Sequence, residues 1–215
     1  ICESFLAYGC SLCTVAECAE FAGVALPVMA EDRLSSCTLA CVLGGDGSMI
    51  HAAHRLLGHD IPLLGINFGH VGYLAELELG EIDLLDGLAN GQYTIEERMM
   101  LAVDVCRDDG TVRSRMYALN DAVLSNGPIA KLLTFAMRLN GFDMQSYRAD
   151  GIVIATPTGS TAYSMSAGGP ILEPRLDCIC LTPICPHTPG SRPTLVRGDT
   201  VIELCRIVSK DTAVY

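Results

Sequence analysis

What this sequence lacks narrows its possibilities before any motif is read. No uninterrupted apolar run reaches the length of a membrane-spanning helix, and no basic-then-apolar leader opens the chain. These absences point away from a membrane partner and toward a cytoplasmic protein. No cluster of lysine and arginine interrupts a formal net charge of −11, so nucleic acid is not an expected partner either. A Walker A loop would need Gly-Lys-Ser/Thr, and the dinucleotide fingerprint Gly-x-Gly-x-x-Gly needs a glycine spacing that is missing. Without a Gly-x-Ser-x-Gly elbow, a hydrolase serine is not expected. There is no internal repeat and no low-complexity tail.

What is present fits a protein with a real core. The 215 residues are 50% hydrophobic, enough for one large domain or two small ones. Eleven cysteines are many, but an odd number argues against a complete disulfide framework. Cys10-Ser11-Leu12-Cys13 and Cys178-Ile179-Cys180, with Cys185 and His187, invite a zinc reading. The first pair falls on a helical pattern and the second alternates like a strand, so the expectation is small buried hydrophobes in a reducing compartment and no metal site.

The richest local signal is Leu43-Gly44-Gly45-Asp46-Gly47-Ser48. Before it, Thr38–Leu43 reads as a buried strand. After it, Met49, Ile50, Ala53, Leu56 and Leu57 recur at helical spacing, with His51, His54 and Arg55 on the opposite face. Three glycines permit a sharp turn and close approach of backbone to a ligand. The mouth of the following helix favours anions. The chemistry of such a corner is phosphate chemistry, and Asp46 is the side chain in it able to take a proton. A second glycine-rich turn, Gly65-Ile66-Asn67-Phe68-Gly69-His70-Val71-Gly72-Tyr73-Leu74, follows another apolar run. Each turn alone suits a purely structural corner; together, both after parallel strands, they favour a bound nucleotide.

Helix and strand alternate in the first part: a helix over 10–22, a short strand over 24–29, the strand before Asp46, the helix after it, and a strand over 61–66. That alternation predicts a parallel sheet covered by helices. After about Asn90 the pattern changes. Leu101–Cys106 alternates, Asp109-Gly110 supplies a hairpin turn, and strands are expected over 116–124, 132–139, 142–147 and 151–155. The predicted division is 1–92 and 93–215, an α/β domain followed by a mainly antiparallel one.

The second part holds further candidates. Asn120-Asp121 places an amide and a carboxylate within a strand pattern, where ligand contact and a turn both remain open. Arg148-Ala149-Asp150-Gly151 sets a cation beside an anion, which an ordinary surface ion pair also explains. Lys131 suits a phosphate contact. Thr156 to Pro170 is dense in Ser, Thr, Ala and Gly, which allows close approach of a flat ligand or simply makes a polar loop. His51 and His54 on a solvated helix face need no metal, though His51 lies near the turn.

These segments, in this order, resemble the NAD kinase family. The similarity runs from about residue 38 through Gly44-Gly45-Asp46-Gly47, Gly65 to Leu74, Leu119-Asn120-Asp121, Asp150 to Pro170, and Leu181 to Pro193. The Gly-Asp turn alone is shared with phosphofructokinases and lipid kinases; the run from Asp150 to Tyr163 is highly specific. The resemblance implies an N-terminal Rossmann-like α/β domain, a C-terminal β-rich, sandwich-like domain, and a dinucleotide in the cleft between them. It implies transfer of the γ-phosphoryl group of ATP to the 2′-hydroxyl of the adenosine ribose of NAD, with Mg²⁺ or another divalent cation accompanying ATP. By the same resemblance Asp46 is the proton acceptor, Gly47 faces phosphates, and Asn120 and Asp121 hydrogen-bond the dinucleotide. Lys131, Arg148 and Asp150 match ligand-contact positions, and Thr161, Ala162, Tyr163, Ser164, Met165 and Ser166 line the adenine and ribose pocket. His51 matches a contact position of variable residue type. A homo-oligomer, dimer or tetramer, is implied as well.

Three departures stand out. The family's opening strand with an Asn-Pro loop is missing, its later Asp-Gly-Gln motif is missing, and Tyr73 stands where Phe is usual. The first two suggest a chain shortened at both ends. The alternatives are a dinucleotide-binding module without catalysis, and a lipid or sugar kinase sharing only the Gly-Asp turn.

Overall fold

A computed structural model describes residues 1–20, 23–69, 72–126, 132–187 and 189–208. Residue contacts divide the chain into two units, Ile1–Ile95 and Glu96–Tyr215.

The first unit begins with a short helix, α1 (Cys2–Ala7), which ends ahead of Gly9 at φ +77°. The helix expected over 10–22 does not form among the described residues; only a 3₁₀ turn, Ala16–Cys18, is present. Tertiary pairing overrides the helical spacing there. Thr14 donates its N–H to the Pro27 carbonyl at 2.9 Å and accepts from the Met29 N–H at 2.8 Å. The strand expected over 24–29 reduces to a single parallel bridge, Thr14 to Val28. Pro27 lacks the N–H a longer ladder would need.

Strand β1 (Ala40–Leu43), helix α2 (Asp46–Arg55), strand β2 (Leu63–Asn67) and strand β3 (Leu77–Glu78) follow. The sheet order is β1-β2-β3, parallel throughout, as the alternation of elements predicts. The strand before the turn is not fully buried as expected. β1 lies at the edge and alternates half-buried with exposed residues, while central β2 buries Gly65, Ile66 and Asn67. At Gly65 a Cβ would come within 2.8 Å of both Met49 Sδ and Ala75 Cα, so only glycine lets the Ala75 backbone pass this close to β2. A last short helix, α3 (Leu85–Ala89), buries Leu85.

The second unit is antiparallel. β4 (Leu101–Cys106) and β5 (Val112–Ala118) form a hairpin around Asp109-Gly110, with Gly110 at φ +83° and the Asp109 carboxylate accepting from the Thr111 N–H and hydroxyl. Then come β6 (Asp121–Ser125), β7 (Leu133–Leu139), β8 (Phe142–Ala149), β9 (Gly151–Ala155), helix α4 (Tyr163–Ser166), β10 (Cys178–Ile184), β11 (Thr194–Arg197) and β12 (Ile202–Val208). They build a four-stranded sheet, β11-β10-β9-β6, and a three-stranded sheet, β12-β7-β8. The strand expected over 116–124 is broken at 119–120, and its two halves join different sheets.

The core explains the continuous apolar reading of β9. Ile152 faces a cluster with Leu133, Phe135, Met137, Tyr147, Ile179 and Leu181, drawn from both sheets. Val153 and Ala155 face the other way, onto Leu172 and Cys180. A strand covered on both faces has no polar side to show. Phe135 and Tyr147 stack with ring centroids 5.3 Å apart, a pair worth about 0.5–1.5 kcal/mol beyond burial. The expectation of an α/β region followed by a β-rich, sandwich-like region is met.

The cysteines depart from expectation. All eleven are free, but Cys180 is the one that is fully buried, and Cys10, Cys18, Cys41, Cys106 and Cys185 are exposed. The helix that would have turned Cys10 and Cys18 toward a core does not form. Among the described residues no helix is long and apolar enough to cross a membrane.

Candidate active site

In the first unit the turn after β1 is shaped by steric demand. Gly44 sits at φ +150°, and a Cβ there would lie 2.3 Å from Ser48 Oγ. Gly45 caps α2, its carbonyl accepting from the N–H groups of Ser48 and Met49. Gly47 is different: a Cβ there would meet nothing within 4 Å, so packing does not require glycine. It is exposed beside the positive end of α2, where an anion would be favoured.

Asp46, half-buried at the first position of α2, is held by the second glycine turn. Its Oδ1 accepts from the backbone N–H of Tyr73 and of Leu74, both at 3.0 Å, and its Oδ2 accepts from Tyr73 N–H at 3.0 Å. The two glycine-rich turns thus meet on one carboxylate. Oδ1 carries two bonds and Oδ2 one, leaving Oδ2 the oxygen with room for a further proton. Asn67, at the end of β2, accepts from the Gly69 N–H at 3.2 Å and stiffens the same turn. His51 and His54 lie exposed on α2.

In the second unit, Asn120 stands at the bend before β6. Its carbonyl accepts from Thr156 N–H at 2.8 Å, and the Thr156 hydroxyl donates to the Leu119 carbonyl at 2.5 Å. Gly159 packs onto the same peptide so closely that a Cβ would sit 2.0 Å from the Asn120 carbonyl oxygen. The backbone of Asn120 is therefore locked. Its side-chain Oδ1 is buried and accepts no hydrogen bond. A buried orphan acceptor carries a desolvation cost that a ligand donor would remove. Beside it, burial raises the Asp121 carboxyl above its ordinary pKa, partly opposed by a hydrogen bond from the Tyr163 backbone N–H.

The Ser/Thr/Gly run divides by direction. Ser160 donates to the Pro157 carbonyl at 2.6 Å and accepts from Leu172 N–H, and Ser164 bonds the Thr182 hydroxyl at 2.9 Å; both serines are fully buried. Their hydroxyls are engaged within the fold. Tyr163, Met165 and Ser166 are exposed, and Thr161 and Ala162 half-buried, so these are the residues of the run that meet solvent. Arg148 is exposed on β8; Asp150 follows it and donates its N–H to the Ile184 carbonyl at 3.0 Å. Lys131 lies outside the described residues.

Three groups beside these residues had no signal in the sequence. The Tyr73 and Leu74 amides are backbone groups, which residue identity does not reveal. Arg98 lies next to the run, its guanidinium 3.4 Å from Thr158 Oγ1 and 2.9 Å from Glu96. Among the described residues no group of three or more His, Cys, Asp or Glu side chains could hold a metal.

A glycine-walled aspartate at a helix start and, in the β-rich unit, a buried amide oxygen without a partner are features suited to holding a polar ligand such as a nucleotide. Residues 24–93 match the ATP-NAD kinase N-terminal domain and residues 119–214 the ATP-NAD kinase C-terminal domain. The chain belongs to the NAD kinase family. It is 48% identical over 164 residues to the NAD kinase of Symbiobacterium thermophilum, covering 76% of this chain and 58% of that one. It is 43% identical over 189 residues to the NAD kinase of Geobacter metallireducens, covering 87% and 66%. It therefore spans somewhat under two-thirds of the length of these relatives. Among solved structures, a yeast NADH kinase complexed with NADH superposes with a TM-score of 0.77 at 29% identity, over 83% of this chain and 53% of that one. An NAD kinase from Archaeoglobus fulgidus in complex with ATP superposes with a TM-score of 0.68 at 28% identity, over 93% and 79%.

Proposed function

We propose that this chain forms the catalytic part of an NAD kinase, which moves the γ-phosphoryl group of ATP onto the 2′-hydroxyl of the adenosine ribose of NAD. The observation that carries this reading is Asp46, with Oδ1 saturated by two backbone amides and Oδ2 left with capacity. Phosphoryl transfer asks the protein for positioning and charge stabilisation more than for covalent help. A fixed carboxylate meets the first need: it orients the attacking hydroxyl and accepts its proton late in the step.

Gly47 and the start of α2 supply an electropositive, uncrowded surface for phosphate oxygens. The orphaned Oδ1 of Asn120 and the carboxyl of Asp121 hydrogen-bond the dinucleotide. Arg148, Asp150, Lys131, His51 and the outward residues Thr161, Ala162, Tyr163, Met165 and Ser166 serve as further contacts. Ser164 supports the pocket from behind. Mg²⁺ or another divalent cation would come with ATP, held by its phosphates and one or two carboxylates, and would offset the phosphate charge. The same reading places the protein in the cytoplasm as a homo-oligomer acting on small anionic nucleotides, for which a net charge of −11 requires local backbone dipoles rather than a basic surface.

Incubation with NAD, ATP and Mg²⁺ tests the proposal. NADP should accumulate with ADP in equal amounts. Binding of NAD without NADP formation would reduce the protein to a dinucleotide-binding module.

A further inference from the structure

Three sulfur atoms converge in the first unit, from residues far apart in sequence. Cys37 Sγ lies 3.4 Å and Cys13 Sγ 3.9 Å from Met29 Sδ, and the two thiols are within hydrogen-bond reach of each other. The backbone fixes all three. Cys13 and Met29 flank the parallel bridge between Thr14 and Val28, and Cys37 closes the 3₁₀ turn Glu31–Ser36 through its N–H to the Leu34 carbonyl at 2.9 Å. All three side chains are half-buried, so the cluster is shielded yet reachable.

We propose that Cys13, Met29 and Cys37 form a three-coordinate site for a soft monovalent cation of the copper(I) class. Two thiolates and a thioether are the donors that select copper(I). Zinc is disfavoured: it takes four ligands of Cys, His or carboxylate type, and no such group exists among the described residues. The spacing agrees as well. With metal–sulfur bonds of about 2.3 Å, as thiolates make to zinc, a trigonal ion separates its sulfurs by about 4.0 Å; Cys13 lies at that distance from Met29, and Cys37, at 3.4 Å, would move outward by about half an ångström. Binding converts both thiols to thiolates, releases two protons to solvent and leaves a site of net charge −1; no electron is transferred. This site is independent of the kinase reading.

The test is titration of the fully reduced chain with copper(I) under anaerobic conditions, in competition with a chromogenic copper(I) chelator. One tightly held copper(I) is expected, with three sulfur neighbours in X-ray absorption. Cys13→Ser and Cys37→Ser should each abolish it. Met29→Leu, nearly equal in volume and so safe for folding, should weaken it on the order of 10–100-fold and leave two sulfur neighbours. Cys10→Ser should change nothing. Copper(I) binding that survives Cys13→Ser and Cys37→Ser, or a shell in wild type dominated by nitrogen or oxygen, would overturn the proposal.

Discussion

Gly72 stands so near Asp46 that a Cβ on it would lie 2.4 Å from the carboxylate Oδ1. The second glycine turn thus shapes the position of the acid in the first. Gly72→Ala should push the carboxylate off its seat on the Tyr73 and Leu74 amides. A displacement of about 1 Å costs on the order of 10²-fold in turnover. Steady-state kinetics should show kcat falling by that order with the KM for NAD little changed.

Asp46→Asn retains an oxygen for the Tyr73 and Leu74 N–H groups but cannot take the proton. NADP formation should drop by about 10²- to 10⁴-fold, the range of general-base catalysis. Calorimetric titration should find NAD binding retained. Undiminished turnover would remove Asp46 from the chemistry.

Asp121 gives a pH signature. Its pKa is raised on folding, chiefly by burial. A carboxyl raised in the folded state favours folding below its unfolded pKa and loses that contribution as pH rises through the folded value. At neutral pH the charged form is therefore a stability cost. Asp121→Asn should raise Tm at pH 7, and the gain should shrink as the pH falls through the raised folded value and be gone below the ordinary carboxylate range. Affinity for NAD should fall in the same variant. A Tm difference independent of pH would contradict this account.

Ser164→Ala deletes a fully buried hydroxyl and leaves its partner on Thr182, 2.9 Å away, with the weaker contact to the Cys180 thiol at 3.4 Å. The loss should be about 1–3 kcal/mol, seen as a lower Tm in thermal unfolding. Because the hydroxyl points into the fold, the KM for NAD should change far less than in a variant of Asn120.

The Asp46 corner was legible because Gly44 answers to local geometry: a chain that must turn at φ +150° against Ser48 has few residues to choose from. The second unit was legible for a similar reason, since Asp109-Gly110 and Asn140-Gly141 mark hairpins and the strands between them alternate or run apolar. The segment from Cys10 to Ala22 misled because its spacing is helical while its hydrogen bonds go to Pro27 and Met29, partners that only tertiary structure supplies. Asn120 was ambiguous for the same cause. The bend there is enforced by Thr156 and Gly159, more than thirty residues away. The seat of Asp46 could not be read at all, because amide donors look alike in every residue but proline.

Gly44 and Gly47 share one turn but answer to different masters: the first to the fold, the second to nothing inside it. Damage at position 44 should therefore register as lost protein, and damage at position 47 as intact protein without activity. A survey of variants that scores abundance and turnover separately would split this four-residue turn down the middle. If the survey splits that way, inactive yet fully folded forms of the chain would lie a single substitution away.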